Sequence, residues 1–139
     1  MRGRKPELKV VDEDFAVPAE ARPVPAHIPA AMHEDWRTVA DDLAKRKLLT
    51  ESMAGSVDAY VMALWNMRQA QAQIEEHGLL INAGKGILKQ NPAVSLLGKA
   101  QQVVLRLSTE LGLTPASRSR ASQQPPKEPN DDQFSLLDF

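Results

Sequence analysis

The apolar residues of this chain recur at helical intervals through its middle and thin out toward both ends. Met32, Trp36, Val39, Ala40 and Leu43 fall three and four residues apart, which predicts a first helix over residues 30–47 with a single apolar stripe. Pro29 stands at its start. Glu34 and Asp35 come early and Lys45, Arg46 and Lys47 late, the order that complements a helix dipole, so these three bases read as structural.

Thr50 is the expected N-cap of a second helix and Gly78 its stop, with Met53, Val57, Tyr60, Val61, Leu64 and Ile74 marking the buried face. About 27 residues at 1.5 Å each make a rod of ~40 Å, longer than the first helix can cover. The excess is expected to pack on neighbouring copies. Between Gly78 and Asn91 the period changes: Leu79, Leu80 and Ile81, then Ile87 and Leu88, flank a turn-rich centre, Asn82-Ala83-Gly84-Lys85-Gly86. That pattern predicts a β-hairpin near residues 79–90, which must lean on the helices or on another subunit because an isolated two-stranded hairpin is barely stable. Asn91-Pro92 then opens a third helix, with Leu96, Leu97, Ala100, Val103, Val104, Leu107 and Leu111 as its stripe and Gly112 beyond its end. Thr114-Pro115 begins one further short turn. The expected fold class is mainly α, three principal helices and a small hairpin in a core over residues 30–120.

The two ends read differently. Residues 1–29 hold five prolines, which remove backbone donors and favour extended geometry, and Arg2, Arg4, Lys5 and Lys9 stand against Glu7 in the first nine positions. A basic extended arm grips a phosphate backbone; a solubilising terminus has the same composition. Residues 121–139 are too polar to offset the entropy of ordering and are expected to form a disordered acidic tail. Yet the chain finishes with Phe134, Leu136, Leu137 and Phe139 among acids, the make-up of a short docking motif.

Composition narrows the function. A formal charge of −1 over 139 residues conceals an asymmetry: from His77 to Lys127 the only acid is Glu110, against seven bases, a net of +6. With no cysteine there is no disulfide framework and no thiolate metal site. No stretch of ~18 apolar residues occurs, so neither a membrane span nor a signal-peptide core is expected. Gly78 to Lys85 has the wrong glycine spacing for a phosphate-binding loop, and Gly86 stands where its Ser or Thr should be. His27, His33 and His77 lie apart, and the acids Asp41-Asp42 and Glu75-Glu76 are adjacent and so point to different azimuths. No catalytic residue, metal or cofactor is predicted, and the chain does not read as an enzyme.

In several pieces taken in order, the chain resembles the small terminase subunits of tailed phages. The pieces are Gly3-Arg4-Lys5-Pro6, a Pro-rich lead to a helix bearing Trp36, Leu48-Leu49-Thr50, Gly78, Asn91-Pro92, Glu110-Leu111-Gly112-Leu113-Thr114-Pro115 and Ser117-Arg118-Ser119-Arg120. The resemblance covers about the first 120 residues. It implies a homo-oligomeric ring around a channel, recognition of double-stranded viral DNA in the host cytoplasm, and regulation of a large subunit that holds the ATPase and nuclease. On that reading Arg2, Arg4, Lys5, Lys85, Lys89, Arg118 and Arg120 are the candidate DNA contacts, each also readable as a solvated surface base. Lys99 and Arg106 lie inside a helix and read rather as solvated. Phe134, Leu136, Leu137 and Phe139 are the candidate docking residues for the large subunit, or a tail that folds back over the basic surface. Two other classes stay open: a helical scaffold that binds only protein, and a helix-turn-helix regulator built on the turn at Leu48-Leu49-Thr50, whose second helix is long and poor in bases for a major-groove reader.

Overall fold

A computed structural model describes residues 22–122. A 3-10 turn, Ala30–Met32, leads into α1 (His33–Lys45), where a continuous α-helix was expected from Ala30. Pro29 is extended, at ψ 143°, and its carbonyl accepts from Met32 N at 2.8 Å, so the chain enters the helix through one tight turn. Val24 and Ile28 pack on the core ahead of it. The stripe of α1 is buried as its spacing requires: Met32, Trp36, Ala40 and Leu43 are almost fully enclosed. Trp36 Nε1 donates to Asp58 Oδ1 at 2.7 Å, the partner a buried indole needs.

The helix ends at Lys45, two residues early. Lys47 adopts a left-handed backbone at φ 57°, and Leu48 N closes on Leu43 O at 2.8 Å. The reason lies in Leu49, which is fully buried and draws the chain back into the core. Thr50 caps α2 (Glu51–His77), its hydroxyl accepting from Met53 N at 3.3 Å, and Gly78 ends it at φ 82°. Val57 and Val61 are fully buried in the core, with Met53, Tyr60 and Leu64 packed around it.

The far half of α2 packs on α3 (Pro92–Glu110) of the same chain, a partner that its length alone did not reveal. Asn91 sits at the C-terminal end of α2, donating to Gly78 O at 2.8 Å, while Leu111 at the other end of α3 joins the core cluster that holds Val57 and Val61; the two helices therefore run antiparallel. Their contact is a seam of buried alanines, Ala63 and Ala70 on α2 and Ala93 and Ala100 on α3. Gly112 turns the chain at φ 65°, and α4 (Pro115–Ser122) follows, capped by Thr114, whose hydroxyl accepts from Ser117 N at 3.2 Å.

Between α2 and α3 lies the expected hairpin, β1 (Leu80–Asn82) and β2 (Leu88–Gln90), antiparallel with Ile81 opposite Lys89. The fold is thus mainly α, with three principal helices and a two-stranded hairpin.

Candidate nucleic-acid interface

The hairpin is built from its turn outward. Gly84 and Gly86 take positive φ, 102° and 73°, and Lys85 between them takes 51°. Asn82 Oδ1 accepts from Gly84 N at 2.9 Å, and Ala83 N bonds Ile87 O at 2.8 Å. This backbone holds Lys85 at the tip. Lys89 is exposed on β2, and neither lysine makes an ion pair among the described residues. A strand rather than a helix N-terminus follows the turn, so the Gly78–Lys85 stretch has no phosphate-binding loop geometry. Asn91 locks the base: its amide donates to Gly78 O, its Oδ1 accepts from Ala93 N at 3.0 Å, and its own N–H bonds Leu79 O at 2.8 Å.

Above that base the hairpin stands clear of its own helices. Leu79, Leu80, Ile87 and Leu88 are 57–63% exposed, and only Ile81 is half-buried. Of the two supports the sequence allowed, the helices do not supply the cover.

Arg118 and Arg120 lie at the opposite end. The 19 residues of α3 at about 1.5 Å each set α4 ~30 Å from the hairpin, so the predicted DNA contacts among the described residues form two separate groups. Arg118 is engaged inside the protomer, donating through Nε to Gly112 O at 3.0 Å and through Nη2 to Asp42 Oδ2 at 3.1 Å. Arg46 shares Asp42, at 2.6 Å, and reaches Leu111 O at 3.0 Å. Two guanidinium groups thus meet the carbonyl end of α3, where a helix dipole favours cations. Arg120 is exposed on α4. Arg106 pairs with Glu110 at 2.9 Å along α3, and Lys99 borders a groove. Arg2, Arg4 and Lys5, and Phe134, Leu136, Leu137 and Phe139, lie outside the described residues.

That groove runs along the alanine seam on one side of the α2–α3 pair, about 580 Å³ in volume, walled by Met62, Leu96 and Val103. Elsewhere the ionisable groups serve packing. Arg68 is held above its ordinary pKa by paired hydrogen bonds to Asp35, both 3.0 Å, and Tyr60 is raised by burial and then by the same carboxylate. Among the described residues no three His, Asp or Glu side chains converge on a metal position. His27 faces Asp58 at 3.4 Å, His33 meets Ile28 O at 3.1 Å and His77 lies by Glu76 at 3.7 Å, in three separate places.

The sequence pattern of the family described as phage terminase, small subunit, matches residues 33–128, well over half of the 139-residue chain. The chain belongs to that family. No curated protein and no solved structure matches it. Membership places this terminase small subunit in phage DNA packaging. The match begins at the first residue of α1 and runs through α4, so the hairpin, the groove and Arg118 all fall within it, whereas Gly3-Arg4-Lys5-Pro6 precedes it. No helix among the described residues of this terminase subunit is long and apolar enough to cross a membrane.

Sequence reasoning placed Leu96 and Val103 of the terminase subunit on the apolar stripe of α3, and they are 59% and 43% exposed. Their spacing is that of core residues, and nothing local distinguishes a stripe covered within the protomer from one left open. The partnership of Arg118 with Asp42, 76 positions away, has no sequence signal either.

Proposed function

We propose that this chain is the DNA-recognition subunit of a packaging terminase, a homo-oligomeric ring that holds double-stranded viral DNA and regulates the large-subunit ATPase and nuclease in the host cytoplasm. The observation that carries the reading is the hairpin: four large apolar side chains left exposed beside two lysines that make no ion pair among the described residues. A two-stranded hairpin needs cover to persist, and a second copy supplies it. Leu48 and Leu105, 44% and 69% exposed, lie away from the hairpin. Exposed apolar residues at unlike places on one protomer suit a head-to-tail contact, which closes into a ring when the rotation closes.

Repetition around the ring then does what one protomer is too thinly charged to do. Lys85 and Lys89, with Arg120 and the arm residues Arg2, Arg4 and Lys5, each neutralise a phosphate weakly, and such contacts position DNA rather than read its bases. Arg118 contributes mainly by holding α4. The apolar ending, Phe134, Leu136, Leu137 and Phe139, docks on the large subunit. The subunit does no chemistry of its own in this scheme.

The double variant Lys85→Glu/Lys89→Glu should weaken duplex binding and flatten its dependence on salt, since the slope of log K against log salt scales at about −0.9 per phosphate neutralised. Unchanged affinity and slope would remove the hairpin from the DNA surface. Absence of duplex binding at low salt by the wild-type oligomer would favour a protein-only scaffold. A helix-turn-helix regulator is disfavoured because the single arginine of α2, Arg68, is paired with Asp35 and the helix is flanked by α1 and α3.

A further inference from the structure

The groove on the α2–α3 seam is an apolar trough with nothing in it among the described residues, and its chemistry is one-sided. Met62, Leu96 and Val103 wall it, and its only charged lining residue is Lys99, with no acid. With the amides of Asn66, Gln69 and Gln73 along α2, the trough suits an occupant that brings apolar side chains together with polar groups and negative charge.

The end of the chain has that composition. Beyond Ser122 come Pro125, Pro126 and Pro129, then Asp131 and Asp132, and then Phe134, Leu136, Leu137, Asp138 and Phe139. The reach is sufficient. From Ser122 to Asp131, nine residues in extended, proline-rich geometry span ~28 Å. Val103 lies seven residues before the end of α3, ~10 Å along its axis, and α4 adds at most ~12 Å. Charge favours the same docking, because the one charged residue lining the groove is Lys99 while residues 128–139 carry four acids and no base.

We propose that the acidic C-terminal segment, residues 131–139, seats in the α2–α3 groove of its own protomer. Phe134, Leu136, Leu137 and Phe139 cover Leu96 and Val103, and the tail carboxylates face Lys99. The tail is then held in reserve: a partner that recruits those four apolar residues must first draw them out of the groove. This inference goes beyond the packaging role and requires neither DNA binding nor a ring.

Full-length protein with the photoreactive amino acid p-benzoylphenylalanine at Val103, irradiated and digested with trypsin, reads the occupant directly. The expected result is a photoproduct that keeps the mass of one chain under denaturing conditions and, after digestion, an adduct with the peptide of residues 128–139, released by cleavage after Lys127; a product of twice the chain mass would put the tail of another copy there and overturn the proposal. Leu96 as a second probe position guards against a fold disturbed by the first, and Lys99→Glu should lose most of the adduct. Adducts confined to other segments, or none at either position, overturn the proposal. Because the mixture holds neither DNA nor large subunit, that failure would leave the packaging reading untouched.

Discussion

Arg46 joins the ends of two helices that are far apart in sequence. Its Nη2 donates to Asp42 Oδ2, which also receives Arg118, and to Leu111 O at the close of α3. Gly112 sits against this group at φ 65°, where a Cβ would come within 2.7 Å of Arg46 Nη1. Gly112→Ala therefore adds a strained left-handed backbone, ~1–3 kcal/mol, and pushes on a guanidinium that ties α1 to the end of α3. Gly55 is the natural comparison, since it lies inside α2 with open space where a Cβ would go. There the substitution to alanine should stabilise by ~0.5–1 kcal/mol, the usual cost of glycine within a helix. Thermal unfolding of the two variants should move in opposite directions, Gly112→Ala downward and Gly55→Ala upward. A rise for Gly112→Ala would show that Arg46 is not fixed as described.

At the scale of the element, the α2–α3 pair depends on how closely two backbones approach over small side chains. Ala63, Ala70, Ala93 and Ala100 leave little apolar area to bury, so stability there comes from contact rather than from bulk. Ala100→Leu should force the helices apart at a cost of ~1–3 kcal/mol, measured as a lowered urea midpoint with helix content retained. A neutral result would mean that the groove beside the seam absorbs the new side chain. The caps of these elements were legible because their signals are local: Thr50 and Asn91 accept from the first helical amides, and Gly78 and Gly112 take positive φ. The close of α1 was not legible, because Lys47 adopts the left-handed conformation without being glycine and the cause is the distant burial of Leu49. Likewise, periodicity marked the buried face of α2 but could not say that α3 would cover its far half. The hairpin was readable from its glycines and apolar runs, while its isolation from the helices depends on where Asn91 anchors it.

For the whole molecule the decisive question is what meets the hairpin. Leu88 is 63% exposed and lies opposite Asn82 on a two-stranded sheet that, among the described residues, is anchored at its base by Asn91. Within one protomer, Leu88→Asp changes a side chain that is already 63% exposed, and a surface change of this kind usually shifts stability by no more than ~0.5 kcal/mol. Within a ring that packs the hairpin against the next copy, the same change places an unpaired carboxylate in an apolar contact, once at every interface, and costs several kcal/mol in total. The variant should therefore keep its helix content and thermal midpoint while its mass in solution falls from a closed assembly toward the single chain. DNA affinity should fall with it, and the salt dependence should shallow, because the number of phosphates contacted together scales with the number of copies. A wild-type mass already equal to one chain would remove the ring and the multiplied contacts together. A large assembly that withstands Leu88→Asp would instead place the subunit contact elsewhere, with Leu48 and Leu105 as the next surfaces to change.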